Sequence, residues 1–220
     1  MKYRLLIATA ASVVFAMVFA LSAFAQEQKS IQLPAPKLDP KKSLVQALKD
    51  RKSIREYSTK NLPEQTISNL LWAAWGINRP DSGKRTAPSA MNWQETDLYV
   101  STTQGTYLYD PKGNTLIPVL PGDNRAMTYT QVDRFKDAPF NLVYVADFQK
   151  MGDRKDEEKM MAASMDTGFI AQNVYLYCAS QNLPTCFRAS IDREKFGQAV
   201  KLRPTQKVIA AQSVGLPKGK

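Results

Sequence analysis

Arg51-Lys52-Ser53-Ile54-Arg55 opens, and Ala87-Pro88-Ser89-Ala90-Met91-Asn92-Trp93-Gln94 closes, the stretch on which the reading of this chain turns. The first segment offers two guanidinium groups and a hydroxyl at alternate positions, directly after a helical pattern. Two such cations can hold a dianion through forked hydrogen bonds, and the serine adds a short donor. The second segment packs small residues around a stiff Pro88-Ser89-Ala90 turn and carries the amides of Asn92 and Gln94. Each has a plain structural alternative: a solvated helix end for the first, a loop leading into the strand at Asp97 for the second. In this order, with one amphipathic helix between them, the two are far more specific than either alone.

Around these segments the chain alternates helical and extended patterns. Ser43 can cap a helix to about Lys52, with Leu44, Ala47 and Leu48 on one face. Pro63 and Glu64 start a second helix, whose Ile67, Leu70, Leu71 and Ala74 keep helical spacing up to Gly76. Asn78 to Ala87 is a polar loop. Thr106-Tyr107-Leu108-Tyr109 and Leu116-Ile117-Pro118-Val119-Leu120 flank Asp110-Pro111-Lys112-Gly113-Asn114, which predicts a hairpin. Phe140 to Phe148 reads as a buried strand. Glu157 to Gln181 is the longest helical pattern. Met161, Met165, Phe169 and Asn173 form one row and Ile170, Val174 and Tyr177 another, so the expectation is a helix packed on more than one side. Asp192 caps a short helix to about Val200, and Lys207 to Val214 is a last strand ending at Gly215. Helices, meander, strand, long helix, strand: the order predicts an α+β layered domain.

The N-terminus is a secretory signal. Lys2 and Arg4 precede an apolar run from Leu5 to Leu21, and Ala23-Phe24-Ala25 is an A-x-A cleavage site. The alternative is an uncleaved anchor, but the polar Gln26-Glu27-Gln28-Lys29 favours cleavage and leaves no stable membrane anchor. No twin-Arg pair is present, so the signal reads as Sec-type and the location as periplasmic or secreted. Three units follow: a signal over residues 1–25, an extended Pro-rich arm over 26–43 rather than core, and one domain over 44–220. Cleavage removes Lys2 and Arg4 and takes the net charge from +10 to +8. The basic residues are scattered, which argues against nucleic acid and for a solvated basic surface with a few cations placed for an anionic cofactor. Cys178 and Cys186 could pair in an oxidising compartment, although two separate buried thiols fit their positions better. Histidine is absent, which removes Ser-His-Asp and Cys-His catalysis and the usual zinc sites; no metal is expected.

A phosphate at one end of a planar, amide-rich ring system would use both opening segments. Arg51, Ser53 and Arg55, then Pro88, Ser89, Asn92 and Gln94, then Asp166-Thr167-Gly168-Phe169-Ile170-Ala171-Gln172-Asn173, and finally Val214-Gly215-Leu216-Pro217 together resemble the nitroreductase family. The meander from Tyr107 to Leu120 most resembles its branch of azoline-oxidising peptide dehydrogenases. The resemblance covers roughly residues 43 to 217. It implies a central, mostly antiparallel sheet flanked by helices in an intertwined homodimer, with FMN as cofactor. Arg51, Ser53 and Arg55 would hold the phosphate and ribityl chain. Pro88, Ser89, Ala90 and Asn92 would line the ring, the two groups coming from different subunits. Arg188, Ala189 and Ser190 would lie near flavin N5, where a backbone N–H tunes hydride transfer. The family's C-terminal basic pair is missing, and Lys218 or Lys220 is left to take its place.

The expected function is an exported FMN-dependent oxidoreductase that moves a hydride between a donor and a small organic or peptide acceptor. NAD(P)H is a cytosolic pool, so the donor outside the cytosol is a separate question. Two alternatives stand beside this one: an exported flavin-binding protein of the same fold without efficient turnover, and a surface protein whose redox role is lost.

Overall fold

The structure is a computed structural model that describes residues 28–40 and 42–219; the signal at residues 1–25 lies outside them. Along the chain run β1 (Ile31–Gln32), α1 (Leu44–Asp50), β2 (Tyr57–Ser58), α2 (Glu64–Trp75), β3 (Ile77–Arg79) and β4 (Lys84–Arg85). The meander follows as β5 (Thr96–Thr102), β6 (Gly105–Asp110) and β7 (Thr115–Pro121), then α3 (Val132–Phe135) and β8 (Phe140–Asp147). The rest is α4 (Asp156–Ser180), β9 (Thr185–Arg188), α5 (Arg193–Ala199), β10 (Gln206–Val214) and β11 (Leu216–Pro217). Seven strands form one sheet in the order β1-β7-β6-β5-β8-β10-β9, every pairing antiparallel. This is the expected α+β class, a large antiparallel sheet flanked by helices.

β8 explains the layering. All eight of its residues are buried, because both faces of the sheet are covered there. Leu142 and Tyr144 face the main core with Leu70, Leu71 and Trp75 of α2 and Ile170 and Val174 of α4. Val143 and Val145 face a second cluster with Phe196 of α5, Val208 and Ala211. Alternate side chains of a strand point to opposite faces, so a strand between two layers is apolar throughout. One polar thread crosses the core: Tyr144 donates to Gln212 Oε1 at 2.6 Å, and Gln212 donates to Thr185 Oγ1 at 3.1 Å.

Local signals hold where expected. Ser43 accepts from Gln46 N and Asp192 from Lys195 N at the starts of α1 and α5. Asp156, Glu157 and Glu158 sit in the first turn of α4, where the helix dipole favours them. Asp110 accepts from Lys112 N and Gly113 N, closing the predicted hairpin. At Gly76 a Cβ would lie 2.5 Å from Trp72 Cδ1, so only glycine lets the chain leave α2 there. Cys178 and Cys186 are separate buried thiols.

Four expectations change. The arm is extended but not outside the core: Leu33 is buried in the main cluster and β1 joins the sheet beside β7. Its backbone groups are met by side chains, Asn69 with Lys37 N and O, and Ser68 and Asn114 with Pro34 O. The loop after α2 contains the β3–β4 hairpin. In α1 only Ala47 is buried, while Leu44, Val45 and Leu48 face outward. In α4 the row Ile170, Val174, Tyr177 is buried, but Met161, Met165 and Phe169 are 62%, 53% and 50% exposed. One chain therefore packs α4 on one side only.

Candidate functional site

The segment after α1 is extended and runs beside β9, with Ile54 N donating to Thr185 O at 2.9 Å. Its alternate side chains take different surroundings. Ser53 Oγ lies 2.7 Å from Tyr175 OH, which also accepts from Phe187 N at 2.9 Å. The Arg51 guanidinium stacks over the Tyr175 ring, 5.4 Å from its centre. Arg55 is exposed, and among the described residues neither Arg51 nor Arg55 has a carboxylate partner in an ion pair. Two cations without counter-ions beside a held hydroxyl fit a phosphate. Lys52 and Ile54 instead line a cleft of about 730 Å³ between α1 and the end of α4. Lys218 follows the β2–β11 pairing, in which Pro217 opposes Tyr57, and is exposed at the end of the same segment.

The Pro88–Gln94 loop is wound tightly. Met91, Asn92 and Gln94 all have positive φ, at 50°, 56° and 48°, a region that costs most side chains energy. Three tethers hold it. Ser89 Oγ accepts from Gln94 N at 3.0 Å, Gln94 Oε1 accepts from Arg85 Nε at 2.8 Å, and Asp166 Oδ2 accepts from Ala90 N at 2.8 Å. Gln94 is thus spent on the loop itself, while Pro88 and Asn92 are exposed and Ser89 and Ala90 half-buried. Trp75 is core, donating to Thr96 O at 2.9 Å, and Tyr129 packs on Phe135.

Behind the loop, Glu95 is fully buried beside Asp166. Burial, and then the neighbouring carboxyl of Asp166, push the Glu95 carboxyl up to about 7, against the pull of its own backbone. Burial also raises Asp166, against the Ala90 N–H that favours its charged form.

The two motifs do not meet within one chain. The phosphate-type segment leans on Tyr175 and the loop hangs from Asp166, both on α4. Nine residues of α-helix are about 13.5 Å and about two and a half turns, which puts these anchors on opposite flanks.

The turn after β9 exposes Ala189 and half-buries Ser190, whose carbonyl accepts from Thr130 N at 3.2 Å. Arg188 is not a surface cation: it is 6% exposed, with its guanidinium 4.7 Å from the Phe135 ring centre. It donates to Thr128 O, Ser190 O, Asn141 Oδ1 and Ser213 Oγ. Burial lowers its pKa to about 10. The Arg188 side chain therefore grips the turn from behind through the Ser190 carbonyl, while Ala189 is exposed. Tyr175, Glu95 and Asp166 were not picked out as site residues from sequence; an Asp in the long-helix motif and a tyrosine at helical spacing read equally well as packing.

Comparison with known proteins identifies the family and the fold. The model of the nitroreductase family matches residues 48–216. Putative nitroreductase MJ1384 of Methanocaldococcus jannaschii is 28% identical over 151 residues, 64% of this chain and 76% of that protein. The crystal structure of a putative nitroreductase from Ralstonia eutropha JMP134 is 33% identical, with a TM-score of 0.82 over 89% of this chain and 93% of that one. A putative nitroreductase in complex with FMN from Desulfovibrio desulfuricans shares the fold at 19% identity and a TM-score of 0.58, over 83% and 89% of the two chains.

Proposed function

We propose, from the premise that this chain belongs to the nitroreductase family, that it is an oxidoreductase with FMN as its cofactor, exported and assembled as a homodimer. The observation that carries the cofactor is the Arg51 guanidinium and the Ser53 hydroxyl gathered at Tyr175, with exposed Arg55 two residues on and neither arginine paired to a carboxylate among the described residues. Arg51, Ser53, Arg55 and Lys218 would hold the phosphate and ribityl chain. Pro88, Ser89, Ala90 and Asn92 would line the ring, in keeping with the FMN complex of the Desulfovibrio relative. Bound there, FMN supplies two-electron chemistry, passing a hydride from a donor to a small organic or peptide acceptor.

The chain's own residues do the rest. The two arginines neutralise a dianion and orient it. The tight loop brings backbone and small side chains against a flat surface without bulk. The turn at Ala189 and Ser190, braced by Arg188, would offer a backbone N–H near the reactive edge. Because the two motifs hang from opposite flanks of α4, one site draws on two chains. The exposed Met161, Met165 and Phe169, with Leu44, Val45 and Leu48, give the second chain an apolar surface to cover.

The test is an absorption spectrum of residues 26–220 after incubation with FMN and gel filtration. Flavin bands that co-elute with a dimer at about one FMN per chain support the reading, and bleaching by a donor with recolouring by an acceptor supports turnover. Flavin that stays yellow under every donor leaves a flavin-binding protein. A colourless dimer or monomer refutes the cofactor.

A further inference from the structure

Between the loop and β5 stands a carboxyl that has nowhere to place a charge. Glu95 is 0% exposed and Asp166 is nearly as buried. Glu95 Oε2 has no donor, and Oε1 accepts only a long 3.4 Å bond from Thr96 Oγ1. The groups that act on Glu95 are Asp166, the Thr96 hydroxyl and its own backbone. Those that act on Asp166 are the Ala90 N–H and Glu95, and none of these is a cation. Two carboxylates ionised together in such a space repel each other with no counter-charge. One proton removes the repulsion and gives Oε2 its missing bond. Glu95 then donates to Asp166, whose carboxylate stays free to accept from Ala90 N.

We propose that Glu95 and Asp166 share a single proton, and that this proton keeps the Pro88–Gln94 loop in its flavin-binding shape through the Ala90 N–H. Both are positioning residues, and the proposal rests on the FMN reading above. When the proton leaves to solvent, two buried anions stand side by side and relieve their repulsion by separating. Asp166 is tied to Ala90, so the loop moves with it. Three residues in the left-handed region make this loop dependent on its tethers. The loop's contribution to flavin affinity therefore falls as pH rises.

Glu95→Gln isolates the effect, because its amide donates to Asp166 as the protonated acid does and cannot titrate. FMN dissociation constants are measured for wild type and variant at about pH 5.5 and about pH 8.5, beside a carbon-13 NMR titration of the side-chain carboxyls in the flavin-free protein. Both proteins share the rise in affinity that comes as the FMN phosphate ionises at about pH 6. Relative to the variant, wild type is expected to lose about tenfold in affinity across that interval, with one carboxyl titrating far above the ordinary range. Equal pH dependence in the two proteins, or two carboxyls titrating in the ordinary range, overturns the proposal. Absence of FMN binding at both pH values defeats the flavin reading and the loop's role with it, while a carboxyl that still titrates high upholds the shared proton. If the variant does not fold, the wild-type carboxyl titration decides.

Discussion

Tyr175→Phe removes one oxygen and leaves the ring, so it separates two roles that meet at one side chain. The stacking of Arg51 over the ring, at 5.4 Å, survives. What is lost is the hydroxyl that sits 2.7 Å from Ser53 Oγ and accepts from Phe187 N at 2.9 Å. Ser53 is exposed and recovers its bond from water, which limits its cost to about 0.5–1.5 kcal/mol. The half-buried Phe187 N–H has no such replacement, and an unsatisfied donor costs about 1–3 kcal/mol. The second loss dominates stability, for a net of about 2 kcal/mol, or roughly 4–8 °C in melting temperature for a domain of this size. The first loss dominates binding. A Ser53 hydroxyl no longer aimed by Tyr175 should weaken FMN by about threefold to tenfold. The assay is a double-mutant cycle with Ser53→Ala, read by thermal melting and by FMN titration. If the two substitutions are additive in FMN affinity, the hydroxyl pair does not organise a phosphate site and the reasoning fails.

Further outcomes follow from the same geometry. Arg51→Ala and Arg55→Ala should each weaken FMN by about 1.5–3 kcal/mol, the range for a hydrogen bond to a charged group, by fluorescence titration; unchanged affinity in both refutes the phosphate assignment. Met165→Asp with Phe169→Asp should turn a dimer into a monomer on gel filtration and make the melting temperature independent of protein concentration, with the helical circular dichroism kept, since both side chains are half exposed in one chain. The Glu95 carboxyl, raised to about 7 in the folded state from an ordinary 4.5, stabilises the fold below the unfolded value and loses that contribution as pH rises through the folded one. The loss is about 3 kcal/mol in wild type and absent in Glu95→Gln; a wild-type stability curve parallel to the variant's between about pH 4.5 and about pH 7.5 contradicts it.

Much of the fold was legible because its signals are local. Ser43, Asp192 and the Asp110–Asn114 turn act within four residues, and they sit where their chemistry puts them. A near-continuous apolar run placed β8, and helical spacing placed α4, to within a residue or two. The site was half legible. Arg51, Ser53 and Arg55 alternate along one extended segment, but Tyr175, where Arg51 and Ser53 meet, lies 122 residues from Ser53, and the Ala90–Asp166 tether spans 76. No spacing rule reaches that far. The arm misled for a related reason. Proline-rich sequence without regular pairing reads as peripheral, yet side chains of Ser68, Asn69 and Asn114 satisfy it. The burial of Arg188 was not legible, since an arginine held between carbonyls and aromatic rings has no sequence mark to tell it from a surface cation. The outward row of α4 looked like core because periodicity reports an apolar stripe without saying which chain covers it.

The margins of the seven-stranded sheet carry a last consequence. On one side β1 pairs with β7 opposite Leu116 and Thr115, Gln28 reaches on to donate to Gln104 O, and the rest of β7 contains Pro118 and Pro121, which have no N–H to offer. On the other side β9 is four residues long, and Ile54 N already occupies the Thr185 carbonyl. Neither margin is a template on which another copy could lay a strand. A homodimer of the kind proposed above would then form by side-chain packing between helices, and a two-fold contact of that sort closes on itself instead of propagating as an extended sheet does.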